Sequence, residues 1–444
     1  MKKKILNSVM FLCFLGGVIF SSASVHAAVW YVDAGAPGGG SGTSWGSAFN
    51  NIQDAINACS SMWTICMGPT DQIWVKAGSY SLSNQINVNK YVAIYGGFNG
   101  TETSSSQRDW ENNITLVNGN DSVRCFYITV HAIIDGFNIR RGRASSANGG
   151  GIYIDSPPVY CSTSDFYHVA KIRNCTINQN TAEVHGGGIY DIESDPVITN
   201  CIFIGNSATS GGGMKIWQSS PVIEKCRFKA NRSTIGGGGA IYSDYLCYGT
   251  ITNCIFHLNK SNSRGGAIAY HMAYPYITNC TFSENEAVHS GGAIYANTGG
   301  PRVKNCIFWN DTPDELHFDT SSTWPYVKYS DIMGGYSGTD NIDDDPEFVT
   351  PPIDLHLQPG SPCIDTGTNT GAPSEDIDGL SRPQDGDGDA TAICDMGAYE
   401  FTAFPAYKGD FDNDGDVDGS DLAAFAEDTA TISLEEFAID FGRT

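Results

Sequence analysis

The chain has 444 residues, a formal net charge of −24, 51 glycines, 11% aromatic and 17% charged residues. So acidic a surface repels nucleic acid and anionic lipid and attracts cations, and a composition rich in glycine and aromatics but poor in charge excludes a helical bundle and a disordered chain in favour of a turn-rich β protein. The length exceeds what one ordinary core encloses, which leaves several domains or a solenoid.

Residues 1–27 read as a secretory signal peptide. Lys2, Lys3 and Lys4 precede an apolar run from Ile5 to Phe20, and small residues lead to Ala27. The run is too short to stay as a membrane anchor, and no other segment is apolar enough to span a bilayer. An extracellular or cell-surface location is expected, with no nucleic-acid partner and with calcium the natural counter-ion. Residues 28–130 are assigned to an N-terminal cap and the first coils. Within them Ser47 to Cys59 is expected to form a short amphipathic helix over the open edge of the first coil.

Residues 131–345 repeat. The strings "RNCTINQN", "TNCIFIGN", "EKCRFKAN", "TNCIFHLN", "TNCTFSEN" and "KNCIFWND" centre on Cys175, Cys201, Cys226, Cys254, Cys280 and Cys306, at steps of 26, 25, 28, 26 and 26 residues. A glycine marker, "GGGIY" or "GGAIY", runs in phase and ends at Ile152, Ile189, Met214, Ile241, Ile268 and Ile294. A fixed period of this size means stacked units, none of which buries its apolar face alone. Leucine-rich repeats are excluded, because Leu246, Leu258 and Leu316 are the only leucines between Ala144 and Asp345. Short β-branched and aromatic runs separated by Gly, Asn and Ser exclude helical repeats and predict an all-β, single-stranded parallel β-helix solenoid.

Coils about 4.8 Å apart stack equivalent residues into columns. Asn180, Asn206, Asn231, Asn259 and Asn285, with Asp311 last, are expected to form an amide ladder at a sharp bend. Phe203, Phe228, Phe256, Phe282 and Phe308, with Ile177 first, are expected to stack inside. The six repeat cysteines are read as small buried apolar residues. Cys59 with Cys66, and Cys363 with Cys394, are candidate bridges, secretion being permissive for disulfides.

"FHLN" and "FSEN", each coupled to "GGAI", resemble the repeat of chlamydial polymorphic outer membrane proteins and of the wider group of secreted right-handed β-helix proteins with a pectin-lyase-like fold, over roughly Asp135 to Asp345. "WYVDAGAPGGGSGTSWGSAFNNIQDAINA" is similar to the opening of such proteins, and residues 346–404, from "DDDPEFVTPP" to "CDMGAYEF", resemble their C-terminal cap. The resemblance implies a right-handed solenoid. The alternating strands of an autotransporter barrel are missing, so export by that route is not expected.

Residues 405–444 contain "DFDNDGDVDGSDLAAFAED". Asp410, Asp412, Asp414, Asp418 and Asp421 fall at positions 1, 3, 5, 9 and 12 of a calcium loop, Gly415 at its turn, and Asp416 offers a backbone carbonyl at position 7. Oxygens at alternating positions wrap a hard cation, so Ca2+ is the expected cofactor. With no entering helix and Asp at position 12, the tail resembles half of a type I dockerin, which implies a cohesin-like partner. "PQDGDGDATA", with Asp385, Asp387 and Asp389, is a second candidate cation loop or a plain polar turn.

Strand alternation after each glycine marker sends one column of side chains outward: Tyr153, Tyr190, Lys215, Tyr242, Ala269 and Tyr295. Two residues further along lies a second: Asp155, Ile192, Trp217, Asp244, His271 and Asn297. Aromatics beside carboxylates and an imidazole suit a polysaccharide or cell-surface glycan. Tyr153, Tyr190, Trp217, Tyr242, Asp244, His271 and Tyr295 are therefore the candidate ligand residues. The hydrolase motifs "NTD", "DD" and "GHG" are missing from the repeat coils as far as Asp311, and no catalytic residue is assigned. The expected function is a calcium-binding, non-catalytic adhesin or glycan-binding scaffold. The alternative is an extracellular polysaccharide lyase or glycoside hydrolase attached to a complex through its tail.

Overall fold

The structure, a computed structural model, describes residues 28–60, 71–157, 159–160, 167–168, 170–319 and 325–402. The signal segment, Cys66 and the calcium loop of the tail lie outside the described residues. Among those described, no helix is long and apolar enough to cross a membrane.

Each repeat is one turn of a solenoid. In the coil that begins at Val197, Val197–Thr199 lies in sheet A, Asn200 turns at φ 50°, and Ile202–Ile204 lies in sheet B. Gly205 then turns at φ 60°, Ser207–Ala208 adds a short strand, and a glycine loop leads to Met214–Trp217 in sheet C. Strands pair in parallel with their equivalents one coil away, as Ile198 does with Ile172 and Ile223. Among the described residues sheet A has 11 strands, sheet B 10, sheet C 9 and the short sheet 6. The expected all-β parallel solenoid is what forms.

The repeat motif now divides into jobs. The residue before each Cys, Asn at 174, 200, 253, 279 and 305 and Lys at 225, holds φ near 50° at the bend from sheet A to sheet B, a left-handed conformation that Asn tolerates better than most residues. The Cys that follows is buried and free in all six repeats, its thiol near the carbonyl two residues back, as Cys254 Sγ is 3.2 Å from Thr252 O. Five residues on, the ladder asparagine is wholly buried. Asn231 Nδ2 donates to Phe203 O at 2.9 Å and Asn259 Oδ1 at 3.0 Å, while its Oδ1 accepts from Asn206 N and Nδ2. The phenylalanines stack between coils, their ring centroids 4.5–4.8 Å apart. At Gly239 a Cβ would lie 2.2 Å from Gly266 O of the next coil, so a side chain would force the coils apart.

The N-terminal helix is shorter than expected. It spans Ile52–Ala58, capped by the side chain of Asn51 accepting from Asp54 N, and buries Ile52, Ala55 and Ile56. Trp45–Ser47 instead forms a 3-10 turn, and Phe49 bridges to Val32. The segment after the last coil runs back along the outer face of sheet B. Phe348, Leu355, Ile364, Met396 and Tyr399 cluster with Ile255 and Ile307 of that face. Asn253, Asn279 and Asn305 donate their Nδ2 groups to carbonyls of Glu375, Asp395 and Thr368, and Arg227 pairs with Asp378 at 2.7 Å. The candidate Cys363–Cys394 bridge does not form. Both thiols are free and buried, Cys363 Sγ lying 3.3 Å from Asp331 Oδ2 and Cys394 Sγ 3.0 Å from Thr368 O.

Candidate functional site

Sheet C brings the candidate ligand residues into register. Tyr153 pairs with Tyr190, Tyr190 with Lys215, Lys215 with Tyr242, Tyr242 with Ala269 and Ala269 with Tyr295. Trp217, Asp244, His271 and Asn297 form the parallel column. Tyr127 and His317 extend the first column at either end.

The two columns differ in what they offer a ligand. Tyr190 and Tyr295 are only 6% exposed, and Lys215 is buried. Neighbouring rings cover one another, Tyr153 and Tyr190 having centroids 5.1 Å apart. Burial pushes the phenols of Tyr190, Tyr242 and Tyr295 up to about 12, so they stay protonated. Tyr295 donates its hydroxyl to Asp319 Oδ2 at 2.6 Å. The first column is thus mostly packed within itself.

Lys215 joins the columns. Its Nζ lies 3.6 Å from the centre of the Tyr242 ring and 3.2 Å from Asp244 Oδ2. Burial lowers its pKa to about 8, against the pull of the Asp244 carboxylate, which favours the charged form. The other oxygen, Asp244 Oδ1, takes His271 Nδ1 at 2.8 Å. One carboxylate therefore orients both an ammonium and an imidazole.

Beside this cluster the chain projects. The loop Tyr245–Gly249 is one residue longer than its equivalents Gln218–Pro221 and Met272–Pro275. Tyr245 and Leu246 take positive φ, and Cys247 turns back into the core with its Sγ 3.1 Å from Asp244 O. This pins the loop and leaves Tyr245, Leu246 and Tyr248 exposed at 40%, 57% and 52%. Tyr245 lies 4.7 Å from Trp217 and 6.0 Å from His271, and Tyr248 stacks on Tyr274 at 5.5 Å. The result is an open aromatic ridge next to Asp244 and His271. Sequence periodicity missed Tyr245, Tyr248 and Tyr274, since they sit in the bend and not in the alternating strand. The signal was the extra residue in "DYLCYG".

The remaining candidates fall as follows. Asp385 and Asp387 approach Asp365, their carboxylate oxygens within 4.8 Å of one another, whereas Asp389 accepts from Thr391 N. Asp365 already accepts backbone N–H groups from Gly386, Asp387 and Ile393. Asp410, Asp412, Asp414, Asp416, Asp418 and Asp421 lie outside the described residues.

With the geometry in hand, comparison with known proteins is informative about the fold. A family model described as a right handed beta helix region matches residues 222–338. The fold is a right-handed parallel β-helix. The chain is similar to the crystal structure of pectate lyase Pel9A, at 13% identity and a TM-score of 0.43, over 84% of this chain and 96% of that one. A rhamnogalacturonan lyase is similar at 11% identity and a TM-score of 0.36, over 73% and 91% respectively. Among curated proteins none matches.

Proposed function

We propose that this is a secreted or cell-surface β-helix that binds polysaccharide on the ridge around Trp217 and Tyr245, acting as an adhesin or glycan-binding scaffold. The observation that carries the proposal is the exposure of Tyr245 and Tyr248, with the half-buried Trp217 against Tyr245, beside the Asp244–His271 pair, on a loop pinned by Cys247. Aromatic faces suit the C–H faces of sugar rings, and the carboxylate and imidazole supply acceptors and donors for hydroxyls. The alternative, a polysaccharide lyase or glycoside hydrolase, would use a base of lowered pKa, and Lys215 has one at about 8. Its side chain, however, is 1% exposed beneath Tyr242. A sugar on the ridge does not reach that amine, which favours binding over catalysis.

The tail adds calcium to the proposal. Its support is the spacing of Asp410, Asp412, Asp414, Asp416, Asp418 and Asp421, with Gly415 at the turn. A cohesin-like partner is proposed on the dockerin resemblance alone.

The test is retention of the purified mature chain on a panel of immobilised polysaccharides. Wild type is expected to be retained by at least one of them, and the Trp217→Ala/Tyr245→Ala double variant to elute unretarded with unchanged melting. Retention that survives the double variant would refute the ridge. New unsaturated or reducing ends that vanish on Lys215→Met would establish the enzyme instead.

A further inference from the structure

The outer face of sheet B is covered along only part of its length. From Arg227 onward the chain's own residues 348–401 lie on it. Before Arg227 the face is open and forms a cleft of about 310 Å3, walled at its far side by Trp110, Glu111 and Ile114. A cleft of this size accommodates a small ligand or one unit of a polymer.

Trp110 is held firmly. Gly97 and Gly136 leave room for it, since a Cβ on either would lie within 3.0 Å of Trp110 atoms. The guanidinium of Arg108 sits 5.0 Å from its ring centre and pairs with Asp135 at 2.7 Å. The floor is Asn138, Thr176 and Ile202, which occupy one column of sheet B, with Asn174 and Asn200 on the adjoining bend.

The hydrogen-bonding state of those side chains decides what fits. Where the chain's own segment docks, the Nδ2 groups of Asn253, Asn279 and Asn305 hold its carbonyls. In the cleft the equivalent donors are spent: Asn174 Nδ2 donates to Asp135 Oδ1 and Asn200 Nδ2 to Asn174 Oδ1, each at 2.8 Å. A second polypeptide segment would not find the same rail. Among the described residues no hydrogen bond engages the Thr176 hydroxyl, Asn138 Nδ2 or Asn200 Oδ1, so one group of each polarity and one of both remain. Hydroxyl groups, which donate and accept, match that set. The indole offers a face for an apolar ring surface. Asp135 is already neutralised by Arg108 and Arg173, and Glu111 stands exposed at the rim, so nothing in the cleft calls for an anionic ligand.

We propose that this cleft, on a different face from the Trp217 ridge, is a binding site for a neutral sugar residue, as a chain end or side branch of a polysaccharide. It does not depend on the ridge being a glycan site.

The experiment is saturation-transfer NMR and calorimetry of the full chain with cellotriose, xylotriose, maltotriose and galactotriose, with trigalacturonate as the anionic comparison. At least one neutral trisaccharide is expected to bind, and to bind more tightly than trigalacturonate. Trp110→Ala is expected to weaken it at least tenfold. Ile202→Arg, a change at a half-buried outer position that fills the cleft without touching Trp110, is expected to do the same, while Trp217→Ala leaves it unchanged. The proposal is overturned if no neutral trisaccharide binds or if trigalacturonate binds better. It is equally overturned if binding withstands both cleft variants or is lost only with Trp217→Ala.

Discussion

Removing one rung of the asparagine ladder, by Asn231→Ala, strands a buried backbone N–H. Asn206 N–H loses its Oδ1 acceptor at 3.1 Å, while Phe203 C=O loses the Nδ2 donor at 2.9 Å but keeps its place in the ladder with the strand of Lys229. The other partners keep substitutes: Asn259 Oδ1 retains the backbone N–H of residue 231, and Asn206 Nδ2 retains Ile177 O. Such a stranded group costs about 1–3 kcal/mol, so the variant is expected to lose about that much, a sizeable part of the roughly 5–15 kcal/mol that holds a typical domain together. Urea denaturation measures the loss, and amide exchange at Asn206 locates it. The exposed Asn84→Ala serves as control, with a change within about 0.5 kcal/mol. A loss below about 1 kcal/mol in Asn231→Ala, or unchanged protection at Asn206, would refute the ladder as a structural necessity.

Three further outcomes are expected. Burial raises the carboxyl pKa of Asp331 to about 7 and of Asp395 to about 8, and it holds the touching pair Asp311 and Glu315 well above the carboxylate range. The folded state therefore binds more protons than the unfolded one between about pH 4 and 8, and stability falls as pH rises through that window. Melting temperature should drop from pH 5 to pH 8, and Glu315→Gln should flatten the dependence; a rise with pH would contradict the assignment. In the cysteine column, Cys254→Ser should cost under about 1 kcal/mol, because the carbonyls of Thr252 and Ile223 can accept from a hydroxyl. That is milder than packing alone implies for a buried hydroxyl without partners, and urea midpoints decide between them. Calcium titrated into the full chain should give saturable heat that Asp412→Ala/Asp414→Ala abolishes; equal heat from the variant would remove the loop as a site.

The solenoid was legible because its period forces the same residue into the same place coil after coil. Ladder, phenylalanine stack and coil-to-coil glycine contact each left a repeating letter. The Asn of "NC" was equally visible, yet its task, a left-handed bend at Asn200 and its equivalents, depends on a backbone angle that spacing does not reveal. The candidate ligand face was half legible. Alternation set Tyr242 and Asp244 in the outward columns, but it could not tell that Lys215 packs beneath Tyr242 and is lost to solvent. Nor could it find Tyr245 and Tyr248, whose exposure comes from one inserted residue and from Cys247 anchoring the bend. The Cys363–Cys394 pairing does not form, and each thiol takes a separate acceptor, Asp331 and Thr368.

Hydrogen–deuterium exchange of the mature chain, with and without the best-retained polysaccharide, tests the ridge most directly. Slowed exchange is expected in the peptides covering Met214–Trp217, Tyr245–Gly249 and Ile268–Ala273, and to be absent from the Trp217→Ala/Tyr245→Ala variant. Protection confined to other coils, or no protection at a concentration that saturates retention, would contradict it.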